Sequence, residues 1–219
     1  MKRTTGGTKY FPPSFYRTCR PALCPACAYA PTCLAAEKEE REVDFVEGFS
    51  WLADLNYSHR HTWLKARRDG TVRLGLDDFA QKLIGRVARV ELPAEGTTVK
   101  KGEPLVALRC SQGEVRIPSP IDGTVSHVNT RLNEKPGLLN EDPYGQWITR
   151  LEPFDLDAAL SDTTTGDATA TWLERDVDRL RYRVDSELGV TAADGGTLVR
   201  TVEKIDKSEW EKLVAEFLL

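Results

Sequence analysis

Four cysteines crowd into fifteen residues near the start of the chain: Cys19, Cys24, Cys27 and Cys33, spaced C-x4-C-x2-C-x5-C. Thiolates are soft ligands that suit zinc or iron–sulfur clusters. No apolar run approaches the ~20 residues of a membrane span, and the N-terminus lacks a signal-peptide core, so a cytoplasmic protein is expected. In a reducing compartment such a cluster of cysteines points to metal rather than to disulfides. Zinc sites more often pair two C-x2-C knuckles across a longer stretch. Here one continuous loop must wrap a single centre, and a cubane with an iron at each corner suits that wrapping. Leu23, Tyr29, Ala30 and Leu34 are apolar neighbours able to shield it. The expectation is therefore a [4Fe–4S] cluster held by Cys19, Cys24, Cys27 and Cys33, with zinc, or unliganded or redox-active thiols, as alternatives.

The remaining groups with chemical potential are sparser. Cys110 stands alone near a turn, and reads either as a working thiol or as a small buried strand residue. The second is favoured, because free cysteine packs as a compact hydrophobe. His59, His61 and His127 form no ligand spacing and none is assigned to a metal; His61 is expected to make a structural hydrogen bond. No Ser/His/Asp arrangement, phosphate loop or motif-placed acid pair is present, so no catalytic residue is assigned and a non-enzyme is expected. The N-terminal 36 residues carry five bases and no acid, without a motif that reads a nucleic-acid groove. Residues 152–219 are acidic, with sixteen carboxylates against eight bases. Docking on an acidic protein surface is the simpler use of the basic arm.

Five segments must position these groups. Residues 1–18 read as an extended arm, the cysteine loop follows, and residues 34–48 read as a charged helical connector. Residues 57–152 are strand-like. Thr71-Val72-Arg73-Leu74-Gly75-Leu76 alternates with period two. Asp77 caps a short helix that Gly85 stops. Strands are expected near 86–92, 104–110, 114–118, 123–129 and 147–151. An internal echo joins Gly85-Arg-Val-Ala-Arg-Val90 to Gly123-Thr-Val-Ser-His-Val128, which suggests two small sheets packed as a flattened barrel. Residues 167–219 are helical: Leu173, Val177, Leu180, Val184 and Leu188 form one apolar stripe. Asp194-Gly195-Gly196 breaks it, and Ser208 with Glu211 reads as a capping box for a helix burying Trp210, Leu213, Val214 and Phe217. With the barrel able to close its own core, these helices are expected to dock a protein partner. The domain bounds are 1–48, 49–160 and 161–219.

The central residues resemble a known family. Tyr57-Ser-His-Arg-His-Thr-Trp-Leu64, Gly75-Leu-Asp-Asp-Phe-Ala-Gln81, Ile117-Pro-Ser-Pro-Ile-Asp-Gly123 and Pro143-Tyr144 with Trp147-Ile148 are similar to the H protein of the glycine cleavage system. The resemblance implies a mainly β, lipoyl-domain-like fold. It also implies a lysine at a hairpin tip, acylated by lipoate through its ε-amine. Counting back from Pro120 and Gly123, that position is Gln112, whose amide nitrogen is conjugated with its carbonyl and is no nucleophile. Lys100, Lys101 and Lys135 lie elsewhere. The family's fold is thus expected and its lipoate is not. The half Cys24-x2-Cys27-x5-Cys33 is also similar in loop geometry alone to the cluster loop of iron–sulfur DNA glycosylases. The function that follows is a non-catalytic, non-lipoylated H-like subunit of a redox or electron-transfer complex, free in the cytoplasm or attached to a membrane complex. The alternatives are an H-like carrier or accessory protein of glycine cleavage, and a zinc-stapled adaptor.

Overall fold

Alternation along Thr71–Leu76 does make a strand, and it lies at the centre of the main sheet. The computed structural model describes residues 43–188 and 205–219. The chain divides at Val43 into two units, and Asp44–Leu219 is the one described. Its strands are β1 (Val43–Val46), β2 (Phe49–Leu52), β3 (Asn56–Tyr57), β4 (Thr62–Ala66), β5 (Val72–Leu76), β6 (Val87–Glu91), β7 (Thr98–Val99), β8 (Pro104–Cys110), β9 (Glu114–Pro118), β10 (Gly123–Val128), β11 (Thr149–Pro153) and β12 (Thr164–Thr165). The larger sheet runs β12-β3-β4-β5-β11-β10-β7, and a three-stranded sheet runs β6-β8-β9. The mainly β, flattened-barrel class expected from the resemblance is the one observed.

The echo in the sequence has a structural counterpart. β6 pairs with β8, and β10 pairs with β11, so the two copies seed different sheets. Each copy slips register at the same place, between Val87 and Arg89 in one and between Val125 and His127 in the other. A bulge bends its strand and sharpens local twist, which is what a sheet needs to curl toward a barrel. Within the core, Gly75 is required by packing. A Cβ there would lie 2.3 Å from the Trp63 ring, whose indole N–H donates to the Pro143 carbonyl at 3.0 Å.

The helix α1 (Asp78–Ile84) follows β5 as expected. Asp77 caps it by accepting from the Ala80 N–H at 2.8 Å, and Gly85 ends it at φ 72°. Short helices α2 (Arg131–Glu134), α3 (Leu138–Glu141) and α4 (Leu156–Ser161) decorate the connections. The described end of the expected helical connector is instead a strand hairpin. β1 and β2 are joined by Glu47-Gly48 with φ of 51° and 89°, the positive values that a two-residue turn between twisted strands demands.

Two longer helices close the barrel. In α5 (Asp167–Leu188), Leu173, Val177, Leu180 and Val184 are all buried, and in α6 (Lys207–Phe217) so are Trp210, Leu213, Val214 and Phe217. The stripes expected to face a partner therefore face the chain's own domain. The reason is that the barrel leaves an apolar side around Tyr57, His61 and Phe79. Trp172 of α5 lies 4.6 Å from the His61 ring, and Phe217 of α6 lies 5.3 Å from Phe79. The cap of α6 also differs from expectation. Asp206 accepts from the Glu209 N–H at 3.0 Å, two residues ahead of the Ser208 box, because its carboxylate reaches the free N–H groups first and adds helix. The turn at 194–196 lies outside the described residues. No described helix is long and apolar enough to cross a membrane.

Candidate functional site

The hairpin that the resemblance singles out is formed by β8 and β9. Arg109 faces Glu114 in the ladder, and the Cys110 N–H donates to the Gly113 carbonyl at 2.7 Å. Ser111 and Gln112 are left as a two-residue tip. Gln112 thus stands where the carrier lysine is expected, half-buried, with a primary amide in place of an amine. The carrier position does not fit a lipoyl group: Gln112 offers no atom that lipoate could acylate. Lys100 and Lys101 precede the opposite end of β8, a seven-residue strand that separates them from the tip by roughly 20 Å. Lys101 is instead in an ion pair with Asp162.

Cys110 ends β8 with its side chain buried, as the packing reading expects. Burial pushes its thiol up to about 12, so it is protonated at neutral pH and is no thiolate nucleophile. Cys19, Cys24, Cys27 and Cys33 lie outside the described residues. Among the described residues, no group of three or more His, Cys, Asp or Glu is placed to hold a metal ion.

The flank of the hairpin is occupied by α6. Trp210 is 1% exposed, and its indole N–H donates to the Leu83 carbonyl at 3.0 Å, in the last turn of α1. A Cβ on Gly113 would lie 2.9 Å from Trp210 Cζ3, so the indole rests directly on the turn.

A buried charge network ties these pieces together. His61 is fully buried at φ 57°, in a tight turn between β3 and β4, and stacks on Phe79 at 3.9 Å. Its Nδ1 is 2.7 Å from Asp77 Oδ2, and its Nε2 is 3.4 Å from Asp176 Oδ2 on α5. Asp77 meanwhile caps α1 with its other oxygen. Asp176 also accepts from Arg179 at 2.7 Å, and Arg179 and Arg183 both bond Glu216 of α6 at 2.9 Å. Burial pulls the imidazole pKa down, but the Asp77 charge, the contact with Asp176 and the bond to Asp77 outweigh it, and the net shift is upward. Burial would raise Asp176, but His61 and Arg179 hold it below its ordinary value. The sequence reading gives His61 a structural hydrogen bond, and that is its role. Asp176, Trp172 and the seat of Trp210 escape such a reading, since each acts across a contact that joins distant segments.

Comparison with known proteins agrees with this architecture. The glycine cleavage H-protein family model matches residues 55–175. A probable glycine cleavage system H protein of Thermococcus gammatolerans is 42% identical over 120 residues, covering 55% of this chain and 90% of the relative. Glycine cleavage system H protein 2 of Aquifex aeolicus is 36% identical over 128 residues, covering 58% of this chain and 80% of its own length. The crystal structure of the H protein from Mycobacterium marinum superposes with a TM-score of 0.51 at 26% identity, over 58% of this chain and 99% of that one. The matched stretch stops at residue 175, before Asp176 and before α6. Sheet order, hairpin and matched sequence lead to one assignment: the chain belongs to the glycine cleavage H-protein family.

Proposed function

We propose that this protein is a non-catalytic, non-lipoylated H-type subunit that docks protein partners of a redox complex, with a [4Fe–4S] cluster on Cys19, Cys24, Cys27 and Cys33. The observation that carries the reading is Gln112 at the hairpin tip. A carrier needs an acylated amine at the end of a protruding turn, and this turn presents an amide. What the H-type fold retains without the arm is a shaped protein surface. The four thiolates supply a soft, four-point ligand set on one short loop, the donor chemistry a cubane takes. Their backbone surroundings would then tune any redox role.

Intact mass of the protein from its native host tests the first half. No lipoyl increment is expected, and a lipoyl adduct on any residue would falsify it. Anaerobic purification tests the second half. A brown protein absorbing near ~400 nm with about four irons per chain is expected for one cubane. A colourless preparation with one tightly held zinc would replace the cluster by a structural staple and leave the four-ligand set standing.

Family membership also supports a second reading, an accessory protein of glycine cleavage itself. Binding of the purified protein to the glycine decarboxylase or to the aminomethyl carrier enzyme separates the two. Competition with a lysine-bearing H protein favours the second, and no competition favours the first.

A further inference from the structure

The turn between β8 and β9 is not only without an amine; one of its flanks is roofed. We propose that α6 is a built-in cover of the carrier hairpin, which closes the tip to enzymes that would have to enclose it. This rests on the reading that residue 112 is not acylated in the native protein.

Glycine at position 113 is the first argument. Its backbone is not in the left-handed region that favours glycine, so the turn itself accepts a side chain there. What forbids one is Trp210: Cζ3 and Cη2 would lie 2.9 and 3.4 Å from the added Cβ, with Lys207 Cε at 3.8 Å. The turn has a small residue because a helix lies on it. The second argument is how firmly that helix is seated. Trp210 is anchored through Leu83, and Arg179 and Arg183 grip Glu216 from α5. Arg60, in the turn before β4, donates to the Glu216 carbonyl at 3.3 Å. The cover is thus fastened to α1, α5 and the β3–β4 turn at once. The third argument is that α6 lies wholly beyond the residues matched to the family, so it is an addition to the H-type domain. Exposed Ser111 borders a depression of about 470 Å3 whose lining includes no residue of α6, so exclusion works through bulk at Gly113.

A lipoate ligase must surround a hairpin tip to bring its lysine to the lipoyl adenylate. With α6 seated, it reaches the tip only in the fraction of molecules where the helix has lifted, and the rate falls by that fraction. The experiment uses the full chain carrying Gln112→Lys, incubated with lipoate, ATP and a lipoate–protein ligase, and followed by intact mass. The introduced amine attacks the acyl carbon of the adenylate, an amide forms, AMP leaves and the proton passes to solvent. A lysine-bearing H protein is the reference substrate. Two further chains add an opening change from either side of the contact. Trp210→Phe removes the outer ring that lies on the turn, and Gly113→Ala pushes against it. Circular dichroism and a cooperative melt establish that each chain is folded.

Gln112→Lys alone is expected to be modified at least about tenfold more slowly than the reference. Either opening change should recover about tenfold. Modification of Gln112→Lys at the reference rate would overturn the cover. So would slow modification that neither opening change accelerates. A lipoyl adduct on the unaltered protein would instead sink the reading of residue 112 and leave the cover to be judged by these rates.

Discussion

Asp176→Asn is the most informative single change outside the hairpin. The substitution keeps the shape of the side chain and removes one of the two carboxylates beside His61. His61 is 0% exposed and Asp176 is 7% exposed, so water replaces little of what is lost. The 3.4 Å contact of His61 Nε2 with Asp176 Oδ2 is a buried ion pair without hydrogen-bond geometry, so its loss is placed at about 1.5 kcal/mol, the lower end for interactions with a charged group. For a chain of this size that corresponds to a fall in Tm of about 3–6 °C. The pH dependence is sharper than the magnitude. His61 is held above 6.5, so its contribution is complete below that value and is lost as pH rises through the raised folded pKa. Asp176 is held below 3.8, so its contribution is present above that value and is lost as pH falls through the lowered folded pKa. In the variant the acid limb due to Asp176 disappears. The alkaline limb moves to lower pH, because the remaining imidazole has only Asp77 to hold its proton. Denaturant melts followed by tryptophan fluorescence between about pH 2 and 9 read both limbs. A stability difference that stays constant across that range would refute the coupling.

Four other outcomes follow from particular contacts. Gly75→Ala drives a methyl into the Trp63 ring, with a separation of 2.3 Å before relaxation, and should lose at least about 1–3 kcal/mol in a urea melt. Leu180→Asp places a carboxylate on a stripe buried against the chain's own domain, so it should destabilise the protein by several kcal/mol instead of releasing a partner. An unchanged melting temperature would show the stripe to be open. Any of Cys19→Ser, Cys24→Ser, Cys27→Ser or Cys33→Ser should lower bound iron, measured by chelation assay after anaerobic purification. Cys110→Ser, at a strand end remote in sequence from that loop, should leave the iron content unchanged.

Local pattern carried far into this fold. Period-two alternation located β5, and turn residues bracketed β8, β9 and β10 to within a residue or two. Counting from Pro120 and Gly123 was enough to put Gln112 at the tip, because a two-residue turn leaves no slack in register. What stayed hidden was the destination of apolar surface. A stripe of Leu173, Val177, Leu180 and Val184 requires burial without saying against what, and here the barrel's own open side receives it. The same limit applies to the connector ahead of Phe49, where a rich supply of charge suggested helix. The positive φ at Glu47 and Gly48 instead turned its described end into a hairpin with β2. Trp210 and Leu83 are 127 residues apart, and nothing near either one announces the other. His61 was legible as a structural residue, but its raised pKa depends on Asp77 and also on Asp176, which only the packing of α5 brings into reach.

The seating of α6 on Gly113 also orders events in time. A ribosome completes β9 about ninety residues before it begins α6 and elongates at about 5–20 residues per second. For roughly 5–20 s each new chain therefore has its hairpin made and its Trp210 not yet added. Any factor that must touch the β8–β9 turn meets it most easily on the nascent chain. A helix placed late in the sequence sets the moment at which that opportunity ends.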